Sequence, residues 1–81
     1  MDDSDLLSRM TTVFRDVFDD DALIIWAEMT AADIEGWDSI SNIRLMFAME
    51  CSFKIRLTAN EIKKLNNVGD LTNLIRSKVA G

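Results

Sequence analysis

Gly36-Trp37-Asp38-Ser39-Ile40-Ser41-Asn42-Ile43-Arg44-Leu45-Met46-Phe47-Ala48-Met49-Glu50-Cys51-Ser52-Phe53 is the stretch on which the reading of this chain turns. Asp38 is a strong N-cap residue, so a helix is predicted from Ser39 to about Phe53. At about 100° per residue, Leu45, Met46, Met49 and Phe53 share one side, which is enough to join a core. Ile40, Ile43 and Phe47, with Cys51, gather on the opposite side, and Arg44 stands beside them. A helix buried almost all round would account for both faces. A helix whose second face is a docking surface or lines a ligand cleft would also do so. The second reading is the better one here, because an 81-residue chain offers few other elements to cover that helix.

Working outward, Leu6, Met10, Val13 and Val17 recur at helical spacing from about Ser4 to Phe18, with Leu7, Phe14 and Phe18 widening the stripe. Ser4 or Asp2 can cap that helix. Asp19 to Asp38 is a long connection. Leu23, Ile24, Ile25 and Trp26 are expected to anchor it over the core, and Thr30 with Asp33 forms a one-turn capping pattern. Thr58-Ala59-Asn60-Glu61 is a capping box opening a short helix that is expected to end near Leu65. A last helix is predicted from about Asn67, with Val68, Leu71, Leu74, Ile75 and Val79 as its stripe. The fold class expected is all-α: a small four-helix bundle with a long loop between the first and second helices and a short third helix, forming one domain over residues 1–81.

Composition removes many functions. The chain has no histidine, no proline, no tyrosine and one cysteine. Ser-His-Asp and Cys-His catalysis, a Cys/His zinc site and an internal disulfide are therefore excluded. Net charge is −5, but residues 1–38 hold 11 acids and 2 bases, whereas residues 39–81 hold 3 acids and 7 bases. An acidic front half argues against nucleic acid as a partner. Asp19-Asp20-Asp21 lacks the ligands and glycine of an EF-hand loop, so no metal site is expected. No basic, apolar leader and no membrane-length apolar run is visible, so a cytoplasmic protein without membrane insertion is expected. Cys51 is read as a small, partly buried side chain.

Ser39 follows a long loop and opens a helix, where free N–H groups and the helix dipole favour a phosphate on its hydroxyl. Nothing nearby could make it a catalytic nucleophile, so no catalytic residue is expected and any reaction there needs another protein's chemistry. These residues carry a resemblance. Gly36-Trp37-Asp38-Ser39-Ile40, followed by Ile43, Leu45, Ala48, Met49, Glu50 and Phe53, then Ile55, the capped third helix and Val68-Gly69-Asp70-Leu71, resembles the acyl carrier protein family over essentially the whole chain.

The resemblance implies 4′-phosphopantetheine attached covalently to Ser39 by a phosphopantetheinyl transferase, with Asp38 helping to position that enzyme's magnesium ion. Acyl or aminoacyl groups would ride on the arm as thioesters, loaded by a ligase and used by downstream transferases or synthases. Ile40, Ile43, Arg44 and Phe47 would meet those partners, and the carrier, not itself an enzyme, is expected to be a monomer. Carriers of fatty acid synthesis usually have a strongly acidic second helix. Here that helix has Glu50 against Arg44, with Ser41, Asn42, Cys51 and Ser52 at other outward positions. The tryptophan before the Asp-Ser pair looks like freestanding carriers of specialised pathways. The competing reading is a non-carrier helical interaction module that uses the Ile40/Ile43/Phe47 face, with Ser39 as a mere cap.

Overall fold

A computed structural model describes residues 2–80. Helix α1 spans Asp3–Phe18, α2 Ser39–Phe53, α3 Ala59–Lys63 and α4 Val68–Ala80, with a single 3₁₀ turn at Ala31–Asp33. Among the described residues there is no strand, and the expected all-α architecture stands.

Each helix begins where the sequence supplies an acceptor for its unpaired N–H groups. The Asp2 carboxylate accepts from Asp5 N–H at 2.8 Å, and Asp3 and Asp5 add negative charge to the first turn of α1. Asp19 ends that helix in the left-handed conformation, with its N–H donating to Arg15 O. Thr30 and Asp33 form the expected reciprocal box around the 3₁₀ turn. At α4, Asn67 Oδ1 accepts from Asp70 N–H at 2.8 Å, while Asp70 accepts from Asn66 N–H at 3.0 Å.

One apolar cluster joins the helices. Leu6, Met10 and Phe14 come from α1, Leu45 and Met49 from α2, and Leu71 and Ile75 from α4. The long α1–α2 connection closes that cluster with Ile25, Met29 and Ile34, all buried. It is held by backbone as well as by packing: Val68 N–H donates to Met29 O and Gly69 N–H to Ala27 O, each at 2.8 Å. The loop thus satisfies first-turn donors of α4 that no helix can satisfy internally. Glycine suits this close approach, since a Cβ at Gly69 would crowd Ala27 O at 3.0 Å. Two expected anchors fail: Ile24 is 68% and Trp26 47% exposed. Ile25, between them, is the residue of this segment that the core buries.

Helix α3 is shorter than expected, ending at Lys63 instead of near Leu65. Five residues cannot hold a helix alone. The Thr58/Glu61 capping box nucleates it, and Glu61 is tied to α4 by Lys78 Nζ at 2.9 Å. That ion pair, reinforced by the Thr58 N–H donation, lowers the Glu61 pKa from 4.5 to about 2. Because the folded-state value is depressed, the stabilisation it brings is present above about pH 4.5 and is lost as pH falls towards 2. The pair is partly solvated, so salt should weaken it. In acid titrations of thermal stability, Glu61→Gln is expected to flatten the decline between those pH values. An unchanged slope would show that other carboxylates carry the acid sensitivity.

Candidate functional site

The junction of loop and α2 is shaped by four residues. Gly36 adopts φ +86°, a left-handed conformation that only glycine takes freely, and turns the chain toward the helix. Trp37 then packs its ring edge-on to Phe14 at 5.5 Å and tilted against Phe18 at 5.8 Å, which seats the junction on α1. Its indole Nε1–H donates to Asn42 Oδ1 at 3.0 Å. Asp38 caps α2: its carboxylate accepts from Ser41 N–H at 2.9 Å, and its carbonyl accepts from Asn42 N–H at 2.8 Å.

Ser39 is the first residue of α2 and is exposed, as are Asp38 and Ile40. The tie from Trp37 to Asn42 therefore brackets the serine and fixes the helix start from both sides. The Ser41 N–H donation holds the Asp38 carboxyl below the usual carboxylate range, so it is ionised at neutral pH. Its acceptor capacity faces the helix N–H groups, which makes it a cap and not a base for its neighbour. With no histidine in the chain, Ser39 has no activating partner. Among the described residues no group of three or more His, Cys, Asp or Glu could hold a metal ion. The arrangement suits a hydroxyl that another protein modifies, and the helix N-terminus fits a phosphate on it.

The two faces of α2 separate cleanly. Leu45 and Met49 are fully buried, and Phe53 is 7% exposed. Ile40, Ile43 and Phe47 are 71%, 69% and 66% exposed, with Arg44 exposed among them. A helix buried all round is thus excluded, and the second face of α2 stands open. Cys51 is exposed, a correction to the partly buried side chain expected, because it continues that outer line. Glu50 is not displayed as a free charge: its carboxylate accepts from Leu57 N–H at 2.8 Å and pins the segment that follows the helix. The outer face accordingly presents three large apolar side chains and the Arg44 cation.

A cavity of about 430 Å³ opens beside Ser39, between the start of α2 and the α3–α4 segment. Met46, Ile62, Leu65 and Leu71 give it an apolar floor. Thr30, Trp37, Asp38, Asn42, Asn66 and Asn67 add polar groups to its lining. Helical spacing placed Asn42 on the outside of α2; it is half-buried because the indole holds it. Trp37 entered the sequence reading only through the resemblance, and no local pattern signals its bond to Asn42, five residues on across a helix start.

Together, the fold and this site define a small helical protein with an exposed serine at the start of α2 and an exposed apolar line along the same helix. No protein-family model matches the chain. It is 28% identical over 80 residues to an acyl carrier protein of Thermosynechococcus vestitus, covering 99% of each chain. It is 29% identical over 72 residues to an acyl carrier protein of Clostridium acetobutylicum, covering 89% of this chain and 94% of that one. The solution structure of a holo acyl carrier protein from Geobacter metallireducens is 43% identical, superimposes with a TM-score of 0.87, and is matched over 93% of this chain and 86% of its own. The chain belongs to the acyl carrier protein family, whose members are carriers and not enzymes.

Proposed function

We propose that this protein carries acyl groups as thioesters on a 4′-phosphopantetheine arm attached to Ser39. The observation that supports the reading most directly is the exposed Ser39 at the start of α2, behind an Asp38 cap that leaves its hydroxyl free of a base. The 43% identical relative is a holo form, which fits such an attachment here. The Ser39 hydroxyl would displace adenosine 3′,5′-bisphosphate from coenzyme A on a phosphopantetheinyl transferase, with its proton passing to that enzyme. Asp38, ionised and exposed, would meet the transferase's hydrated magnesium ion. When bound, the arm supplies a terminal thiol on which acyl groups are held as thioesters.

The rest of the chain then has defined work. Ile40, Ile43 and Phe47 provide apolar contact for a loading ligase and for downstream transferases or synthases, and tethering raises the cargo's effective concentration at whichever enzyme is docked. The cavity beside Ser39 offers the cargo cover from water between dockings. Residues 1–81 act as one monomeric carrier domain in the cytoplasm; no described helix is long and apolar enough to cross a membrane. Incubation with a broad-specificity transferase, coenzyme A and magnesium is expected to add one phosphopantetheine. Failure to form any adduct would leave the non-carrier interaction module as the reading.

The charge of the outer α2 face supports a role in a specialised pathway instead of housekeeping fatty acid synthesis. Enzymes of the latter expect an acidic second helix, whereas this one displays Arg44 and ties Glu50 into a backbone hydrogen bond. Charges at the edge of an interface act mainly on association rate and on the rejection of wrong partners, and salt screens both effects. Arg44→Glu is expected to improve use by housekeeping elongation enzymes at low salt and to slow the dedicated partner, which should set an acidic or neutral group opposite Arg44. Turnover with both enzymes at two ionic strengths checks this. Unchanged rates at low salt would reduce Arg44 to a solvated side chain.

A further inference from the structure

Another cavity lies between α1, the long loop and α4. Leu7, Trp26, Ala27, Val68 and Gly69 line a space of about 320 Å³, and among the described residues none of α2 reaches its wall. Leu7 is 44% and Trp26 47% exposed, so large apolar side chains stand open at its edge. The cavity is preformed, because Val68 N–H donates to Met29 O and Gly69 N–H to Ala27 O. Those bonds also occupy the first-turn donors of α4 that would otherwise attract an anion. Arg76, on the same wall, donates to Asp3 Oδ1 at 2.9 Å and to Asn73 Oδ1 at 2.7 Å, so its guanidinium is engaged as well. The acids are more open. Asp3 is on the wall and exposed, as are Asp2 before it and Glu28 after Ala27. The two bases of the front half are used elsewhere: Arg9 donates to Ser52 O and Arg15 to Leu23 O.

We infer that this cavity docks a basic segment of another protein, one that seats an apolar side chain beside Leu7 and Trp26 and sets lysine or arginine against the surrounding carboxylates. A tryptophan at a pocket edge supplies large, rigid contact area, and its ring face attracts a cation. Asp2, Asp3 and Glu28 add attraction of the same sense. An acidic segment would meet those carboxylates and find the nearby donors already taken. A second copy of this chain would bring the same acids against them, so like charge opposes self-pairing. Neither Ser39 nor the Ile40, Ile43 and Phe47 line contributes to this wall, so a partner held here leaves both uncovered. One protein could thus hold the chain while another works at α2. The inference concerns a surface and does not depend on the carrier reading.

The test titrates the full, nitrogen-labelled chain with acetyl-Lys-Leu-Phe-Lys-Leu-Lys-amide and, separately, with the peptide in which glutamate replaces every lysine, following both by NMR. The lysine peptide is expected to shift the Trp26 indole N–H and the backbone amides of Leu7, Ala27 and Gly69. The Trp37 indole N–H, held by Asn42, and the amides of Ile43 and Phe47 should stay in place. The glutamate peptide should bind on the order of tenfold more weakly, the sum of a few exposed charge pairs, and salt should narrow the gap. Trp26→Ala should weaken the lysine peptide by about thirtyfold, the scale of an interface anchor, and Trp26→Phe should recover most of that loss. Asp3→Asn and Glu28→Gln should each weaken it by about two- to fivefold. No shift with the lysine peptide, equal binding of the two peptides, or shifts confined to the outer face of α2 overturns the inference. So does the same set of shifts appearing without peptide as the protein is concentrated, which would make a second copy the occupant. Should Trp26→Ala fail to fold, the two carboxylate variants decide, and unchanged affinity in their combination overturns the inference.

Discussion

Ser39→Ala is expected to take up no phosphopantetheine from coenzyme A under conditions that convert the unaltered protein completely, while its helical circular dichroism and melting temperature stay nearly the same. The separation of the two effects follows from the junction's construction. The α2 cap is the Asp38 carboxylate on Ser41 N–H, and the Ser39 hydroxyl takes no part in it. Ser39 is exposed, so its loss opens no cavity, and a change of about 0.5 kcal/mol or less is expected. Asp38→Ala should instead lose stability with the α2 cap and also slow the uptake. An adduct that persists in Ser39→Ala would move the attachment to another hydroxyl.

Phe53→Ala and Phe47→Ala should differ by several kcal/mol although both remove a phenyl ring from α2. Phe53 is 7% exposed, and its ring lies beneath the Arg9 guanidinium, 4.7 Å from the ring centre. Arg9 also donates to Ser52 O, so the last turn of α2 is fastened to α1 by one side chain. Removing the ring leaves a cavity and strips Arg9 of its cation–π contact, a loss of about 3–5 kcal/mol. Phe47 is 66% exposed and should cost well under 1 kcal/mol. Its loss should appear in partner docking, as slower loading or transfer at equal folded fraction. Denaturant unfolding of both variants decides the matter, and equal losses would mean that α2 is covered on both faces.

The sequence was most informative where chemistry is local. Caps at Asp2, Asp38 and Thr58 satisfy N–H groups three residues away, so they locate helix starts with no knowledge of the rest of the chain. The contrast between Met49 and Phe47 was legible for the same reason, since helical geometry turns spacing into faces. Loop anchors were less legible. Ile24 and Ile25 are chemically alike and adjacent, and only the course of the loop over the core decides which is buried.

Composition alone determined that this protein has no histidine-dependent chemistry and no internal disulfide, and the resemblance carried by Gly36-Trp37-Asp38-Ser39-Ile40 marked the candidate attachment point. Tertiary structure decided the rest of the site. Trp37 lies beside Phe14 and Phe18, far away in sequence, and that packing aims its N–H at Asn42. Met29 O and Ala27 O meet the first turn of α4 only once both are folded against the same core, which brings Asn67 to the cavity beside Ser39. The physical reason is range. Backbone capping acts over three or four residues and is written in order along the chain, whereas the shape and hydrogen-bonding sense of a cavity arise from groups that only collapse brings together.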